Sequence, residues 1–135
     1  MAGYSKRSLA QKLGLKAGHK TIILNPPADY DRTLGELPPQ VTVVDTLNGP
    51  FDFIQFFTKE RGELEKHFPQ LRAALAPDGM LWISWPKRSS KVETDLTEAV
   101  VREIGLDNGL VDVKVAAIDQ IWSGLRFVYR LKDRK

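Results

Sequence analysis

The sequence predicts an α/β protein of three layers: an open sheet of about six strands, mostly parallel, ending in a C-terminal antiparallel hairpin strand. Three observations carry this. Short apolar runs alternate with helix-period segments along most of the chain, which favours parallel strands joined by right-handed crossovers. Met80-Leu81-Trp82-Ile83-Ser84-Trp85 is nearly continuously apolar, as a strand covered on both faces must be. The last two apolar segments instead alternate apolar with charged residues across a short turn, which fits an antiparallel hairpin. At 135 residues the chain has room for one such domain, expected over residues 8–131, with a frayed arm at 1–7 and a basic tail at 132–135.

In chain order, Ser8 with Gln11 three residues on has capping-box spacing, and Leu9 and Leu13 then share a helix face that Gly14 and Gly18 terminate. Thr21-Ile22-Ile23-Leu24 is a buried strand stopped by Asn25-Pro26-Pro27, because proline cannot donate to a ladder. Residues 29–37 hold a turn or two of helix, ended by Pro38-Pro39. Val41-Thr42-Val43-Val44 is the second strand, with Asp45 at its end, and Asn48-Gly49-Pro50 turns into an aromatic third strand over 51–57. Leu64, Phe68, Leu71 and Leu75 lie on one face of a helix expected from 59 to about 76, capped by Thr58 and kinked near His67 by Pro69. Residues 76–79 are a turn before the apolar strand at 80–85. Asp95, with Glu98 at the third position, caps a helix whose stripe is Leu96, Ala99, Val100 and Ile104. In the closing strand at 111–115 the valines point one way and the charges the other, and at 125–131 the apolar–charged alternation recurs.

Composition narrows the chemistry. There is no cysteine, and the two histidines, His19 and His67, are far apart, so thiolate metal sites, a cysteine nucleophile and a His-rich metal centre are excluded. No metal is expected. No apolar run reaches the ~18 residues of a membrane span and no signal-peptide core opens the chain, so a cytoplasmic location without membrane contact is expected. The net charge of +3 is uneven. Residues 1–28 hold five basic residues and no acid, and the remainder is slightly acidic. That start is read as a solvated helix face and tail, because Lys12 and Lys16 interleave with leucines; an arm for nucleic acid is the alternative.

The order of elements is similar to the Rossmann-like sheet of class I methyltransferases. Leu13-Gly14-Leu15-Lys16-Ala17-Gly18 resembles their entry segment, Phe51-Asp52-Phe53-Ile54 the start of their fourth strand, and Leu75-Ala76-Pro77-Asp78-Gly79-Met80-Leu81 the turn before their fifth. Two departures stand out. A strand-and-helix unit at the early edge of the sheet is missing. The loop after the first strand, Asn25-Pro26-Pro27-Ala28-Asp29-Tyr30, has no glycine and two prolines, where backbone N–H groups must approach a cofactor. The same Asn25-Pro26-Pro27 resembles the N-P-P-Y motif of amino-methylating methyltransferases, but it follows the first strand rather than the fourth and is set aside. Over residues 8–131 the chain is also similar to the bacterial family called domain of unknown function 3052, through Trp85-Pro86-Lys87, Thr94-Asp95-Leu96-Thr97-Glu98 and the stretch from Asp119 to Leu125. That resemblance implies a small bacterial protein and carries over no catalytic residue.

In open α/β sheets ligands bind beyond the carboxyl ends of the strands. That rule selects Asn25, Asp45, Thr58, Trp85 and Lys87, and the hairpin tip would add Asp119, Trp122 and Ser123. Asp45, about 20 residues beyond the first loop, is placed to hold ribose hydroxyls or to form an ordinary turn. Trp85 and Trp122 beside Lys87 would stack a planar ligand, or else lid the core. Trp82 is core. Ser84 and Ser123 lack a nearby histidine and a G-x-S-x-G elbow, His67 is a half-buried structural residue, and Asp29 with Asp31 is turn chemistry. These residues support a non-catalytic binding module on a degenerate methyltransferase-like scaffold, with no cofactor and a small molecule or protein as partner. The alternatives are an S-adenosylmethionine-dependent methyltransferase with an atypical cofactor loop, and a nucleic-acid binder.

Overall fold

A computed structural model of the chain describes residues 7–134. Its centre is a six-stranded sheet built from β1 (Lys20–Leu24), β2 (Thr42–Val44), β3 (Phe51–Phe57), β4 (Leu75–Pro86), β5 (Leu110–Ala117) and β6 (Trp122–Tyr129), in the order β2-β1-β3-β4-β6-β5. The first four strands are parallel; β6 runs antiparallel to both β4 and β5. Helices α1 (Leu9–Lys12) and α2 (Tyr30–Leu34) cover one face, and α3 (Arg61–Ala73) and α4 (Glu98–Asp107) the other.

Each face has its own core. On the α3/α4 side Phe51, Ile54, Leu64, Phe68, Leu81, Ile83 and Phe127 are fully buried, with Phe68 and Phe127 meeting edge to face. On the α1/α2 side Leu13, Phe53, Phe57 and Trp82 are buried, and Trp82 Nε1 donates to the Leu13 carbonyl at 2.7 Å, which ties the four-residue α1 to the sheet. A helix that short cannot stand alone. Its stability comes from this bond, from buried Ala10 and Leu13, and from the Ser8/Gln11 capping box the spacing implied.

Several elements differ from the sequence expectation, each for a local reason. α2 ends at Gly35, which has φ +80, before the prolines are reached. α3 is capped by Glu60, not Thr58, and runs through Pro69 without interruption; buried Leu64, Phe68 and Leu71 hold it against one missing N–H bond. Leu75 continues the helical spacing but pairs with Phe51 as the first residue of β4, so the expected turn at 76–79 is an irregularity inside that strand. Thr97, not Asp95, caps α4 through the Val100 N–H, while the Asp95 carboxylate accepts the Arg61 N–H at 2.7 Å. Val101 is fully buried, whereas Ala99 is exposed. In β5 the pairing shifts between Asp112 and Lys114, so Val113 and Val115 are left half exposed rather than facing the core. Most of the frayed arm expected at 1–7 lies outside the described residues; Arg7 is exposed. The last strand ends at Tyr129 rather than 131, and Leu131–Asp133 form one 3-10 turn that leads into the expected tail. Among the described residues no helix is long and apolar enough to cross a membrane.

Candidate functional site at the carboxyl edge of the sheet

The chain leaves β1 toward β2 on one side and later returns to β3 on the other, so β1 and β3 flank the switch point where α/β sheets bind ligands. Two openings meet there and share Pro27. A cleft of about 780 Å³ runs between α2 and the ends of β1 and β2, walled by Ile23, Leu34, Leu37, Val43 and Val44, with Asp29, Asp31 and Asp45 among its lining residues. A crevice of about 460 Å³ lies at the ends of β1 and β3, between Asn25, Thr58, Lys59, Glu60, Glu63 and Trp122.

The loop between them is tightly stitched. Asn25 and Asp29 both hold positive φ, +56 and +60, and bracket Pro26-Pro27. Asparagine and aspartate tolerate that left-handed backbone better than other non-glycine residues. Asn25 directs its side-chain amide to the Phe57 carbonyl at 3.4 Å, bridging β1 and β3. The N–H of Tyr30 is bonded to Pro27 O, and those of Arg32 and Thr33 to Asp29 O. In the crevice, Thr58 Oγ1 is hydrogen-bonded to the Glu63 carboxylate.

The predicted site residues do not all converge. Asp45 lines the cleft, and Asn25 and Trp122 line the crevice. Trp85, Lys87 and Ser123 line a separate opening of about 560 Å³ on the α3/α4 side, and the Lys87 N–H is bonded to Ile121 O. The register explains the split. Trp85 pairs with Ser123 and Trp122 with Pro86, one residue out of step, so the two indoles fall on opposite faces. Both are buried, at 4% and 8% exposure, which makes them lids on the two cores and rules out a shared stacking platform. Asp119 closes the hairpin by accepting the N–H groups of Ile121 and Trp122, both at 2.8 Å. Glu60 and Glu63 carry no sequence signal that marks them as site residues. The Asp29/Asp31 pair was visible, but only the fold turns it from a turn former into a wall of the cleft. No group of three or more His, Asp or Glu side chains fit for a metal ion occurs among the described residues.

No protein-family model and no curated protein matches the chain. Solved structures do. Magnesium protoporphyrin IX methyltransferase from Synechocystis, with bound S-adenosylmethionine, matches at 14% identity and a TM-score of 0.59, over 90% of this chain and 74% of that one. An S-adenosylmethionine-dependent methyltransferase from Aquifex aeolicus matches at 18% identity and 0.59, over 87% and 85%. A 1,6-didemethyltoxoflavin-N1-methyltransferase from Burkholderia thailandensis, holding S-adenosylhomocysteine, matches at 14% identity and 0.57, over 88% and 73%. The fold is thus the Rossmann-like, mixed α/β fold of class I methyltransferases, as the order of elements implied. The expectation of no cofactor is corrected by this finding: the solved proteins that share the scaffold hold S-adenosylmethionine or S-adenosylhomocysteine. That expectation rested on the glycine-free loop and the lack of a nucleophile–base pair, neither of which reveals the cleft beside Asp45.

The residues present fit such a ligand in part. Apolar walls and a carboxylate at the end of β2 suit a base and ribose hydroxyls. The loop over the β1 end suits the amino-acid moiety poorly, since Pro26 and Pro27 carry no N–H.

Proposed function

We propose that this chain is an S-adenosylmethionine-dependent methyltransferase with an atypical cofactor loop, holding the cofactor by its adenosyl end. When bound, that cofactor supplies an electrophilic methyl group on a sulfonium. Asp45 accepts hydrogen bonds from ribose hydroxyls, and Ile23, Leu34, Leu37, Val43 and Val44 cover the purine. The observation that carries this reading is the apolar cleft with Asp29, Asp31 and Asp45 on its wall and no lysine, arginine or histidine among its lining residues. A phosphorylated dinucleotide would bring its charge against those carboxylates, and so would a nucleic-acid backbone. A nucleoside bearing a sulfonium would not.

A second reading, a module that binds the ligand without transferring its methyl group, is favoured by the Asn25-Pro26-Pro27 loop. On either reading the protein is cytoplasmic, and the motifs around Trp85-Pro86-Lys87 and Asp119 support membership in the bacterial domain of unknown function 3052 family.

Isothermal titration and thermal shift with S-adenosylmethionine, S-adenosylhomocysteine and NAD test the site. Binding of the first two but not of NAD is expected, with affinity reduced about tenfold in Asp45→Asn, the loss of one hydrogen bond to a charged acceptor. Absence of heat and of any shift in melting temperature with both S-adenosyl ligands overturns the proposal. Turnover of the methyl donor by purified protein in bacterial extract separates the two readings.

A further inference from the structure

We infer that this edge selects against a carboxylate, so that the preferred ligand is an adenosine whose 5′ substituent is cationic and carries no carboxylate. The inference rests on the S-adenosyl reading above and sharpens it.

A carboxylate needs donors, and the loop after β1 offers few. Pro26 and Pro27 have no N–H, and the N–H groups of Tyr30, Arg32 and Thr33 are bonded to carbonyls of their own turn. The Asn25 amide points at Phe57 O. With five residues, α2 has too little aligned backbone to hold an anion at its start.

Charge works in the same direction. Across the cleft and the crevice, Asp29, Asp31, Asp45, Glu60 and Glu63 stand against a single lysine, Lys59. The four salt bridges among the described residues engage none of these five carboxylates. An amino-acid carboxylate entering this field is repelled, while a sulfonium or an amine is attracted. A wall of apolar residues beside those acids strengthens both effects by excluding water.

The test compares three ligands on the full chain at low ionic strength: S-adenosylmethionine, its decarboxylated analogue and 5′-methylthioadenosine. The decarboxylated analogue keeps the sulfonium and the amine and lacks only the carboxylate. It is expected to bind about tenfold more tightly than S-adenosylmethionine, and the neutral thioether, with no positive group to be attracted, more weakly than the decarboxylated analogue. The preference should fall to about twofold in roughly 0.5 M salt, where surface charges are screened, and likewise in Asp29→Asn/Asp31→Asn. Asp29 makes no side-chain capping bond in α2, and a melting curve of the double variant checks that it folds. Equal affinities for S-adenosylmethionine and its decarboxylated analogue overturn the inference. Tighter binding of S-adenosylmethionine also overturns it, and weakening of that ligand alone by Lys59→Ala would then identify the carboxylate's partner. Failure of all three ligands to bind removes the S-adenosyl reading itself, and this inference with it.

Discussion

Tyr30 on α2 donates its phenolic O–H to Gln55 Oε1 on β3 at 2.7 Å, and both side chains are buried. Gln55 in turn donates its amide N–H to Ser84 Oγ on β4 at 3.1 Å. This short polar relay fixes a five-residue helix, too short to hold itself, over the two central strands. The Tyr30 ring also meets Phe57 edge to face, and Phe57 meets Trp122 the same way, so the helix beside the cleft is braced from β3 through to the hairpin.

Tyr30→Phe keeps the ring contacts and removes only the hydroxyl. Gln55 Oε1 is then left buried without its donor, which costs about 1–3 kcal/mol. Urea unfolding should show that loss with an unchanged m-value. A loss under about 0.5 kcal/mol would mean that water or a rotated Gln55 replaces the bond.

The same tyrosine sets an alkaline limit. Burial pushes its hydroxyl well above the usual value near 10, and the nearby Asp119 charge adds to the rise. Below pH 10 the phenol is protonated in both folded and unfolded chains, so it contributes no pH dependence. Above pH 10 the unfolded chain releases the proton and the folded one does not, so stability falls as pH rises. Melting temperature followed from pH 9 to 11 should therefore drop faster in the wild type than in Tyr30→Phe. Parallel curves would show that the residue ionises freely in the folded protein.

Much of this architecture was legible because it depends on local pattern. β3 falls where its aromatic run falls, and the capping box of α1 is where Ser8 and Gln11 put it. What was not legible depends on partners distant in sequence. Asp95 has the spacing of a helix cap, yet its carboxylate goes to Arg61, 34 residues away. Leu75 fits the α3 stripe by period, yet Phe51 claims it for the sheet. The site shows the same division. Asn25 and Asp45 follow from the strand-end rule, but the separation of Trp85 from Trp122 follows only from the register of β4 with β6, which no local spacing encodes.

Gly105 shows how tightly α4 lies on the sheet. A Cβ there would stand 2.0 Å from Cε1 of Phe127, in a core where that ring also meets Phe68 at 5.6 Å between centroids. Gly105→Ala gains about 1 kcal/mol of helix propensity. Overpacking costs about 1–3 kcal/mol, and more where the neighbour is a hemmed-in ring. A net destabilisation of about 1–2 kcal/mol in chemical denaturation is expected; a stabilised variant would show that Phe127 has room to move.

Asn25 separates two roles that one substitution would confuse. Its backbone holds φ +56, and its side chain reaches the Phe57 carbonyl at 3.4 Å, long for a strong hydrogen bond. If backbone conformation dominates, Asn25→Gly should be nearly neutral, because glycine accepts the left-handed region freely. Asn25→Ala should then be about 1–2 kcal/mol less stable than Asn25→Gly, the penalty of an ordinary side chain in that region. If the bridge between β1 and β3 dominates, the two variants should lose stability equally. The weak bond and the positive φ favour the first outcome, and the difference in denaturation midpoint between the two variants decides it.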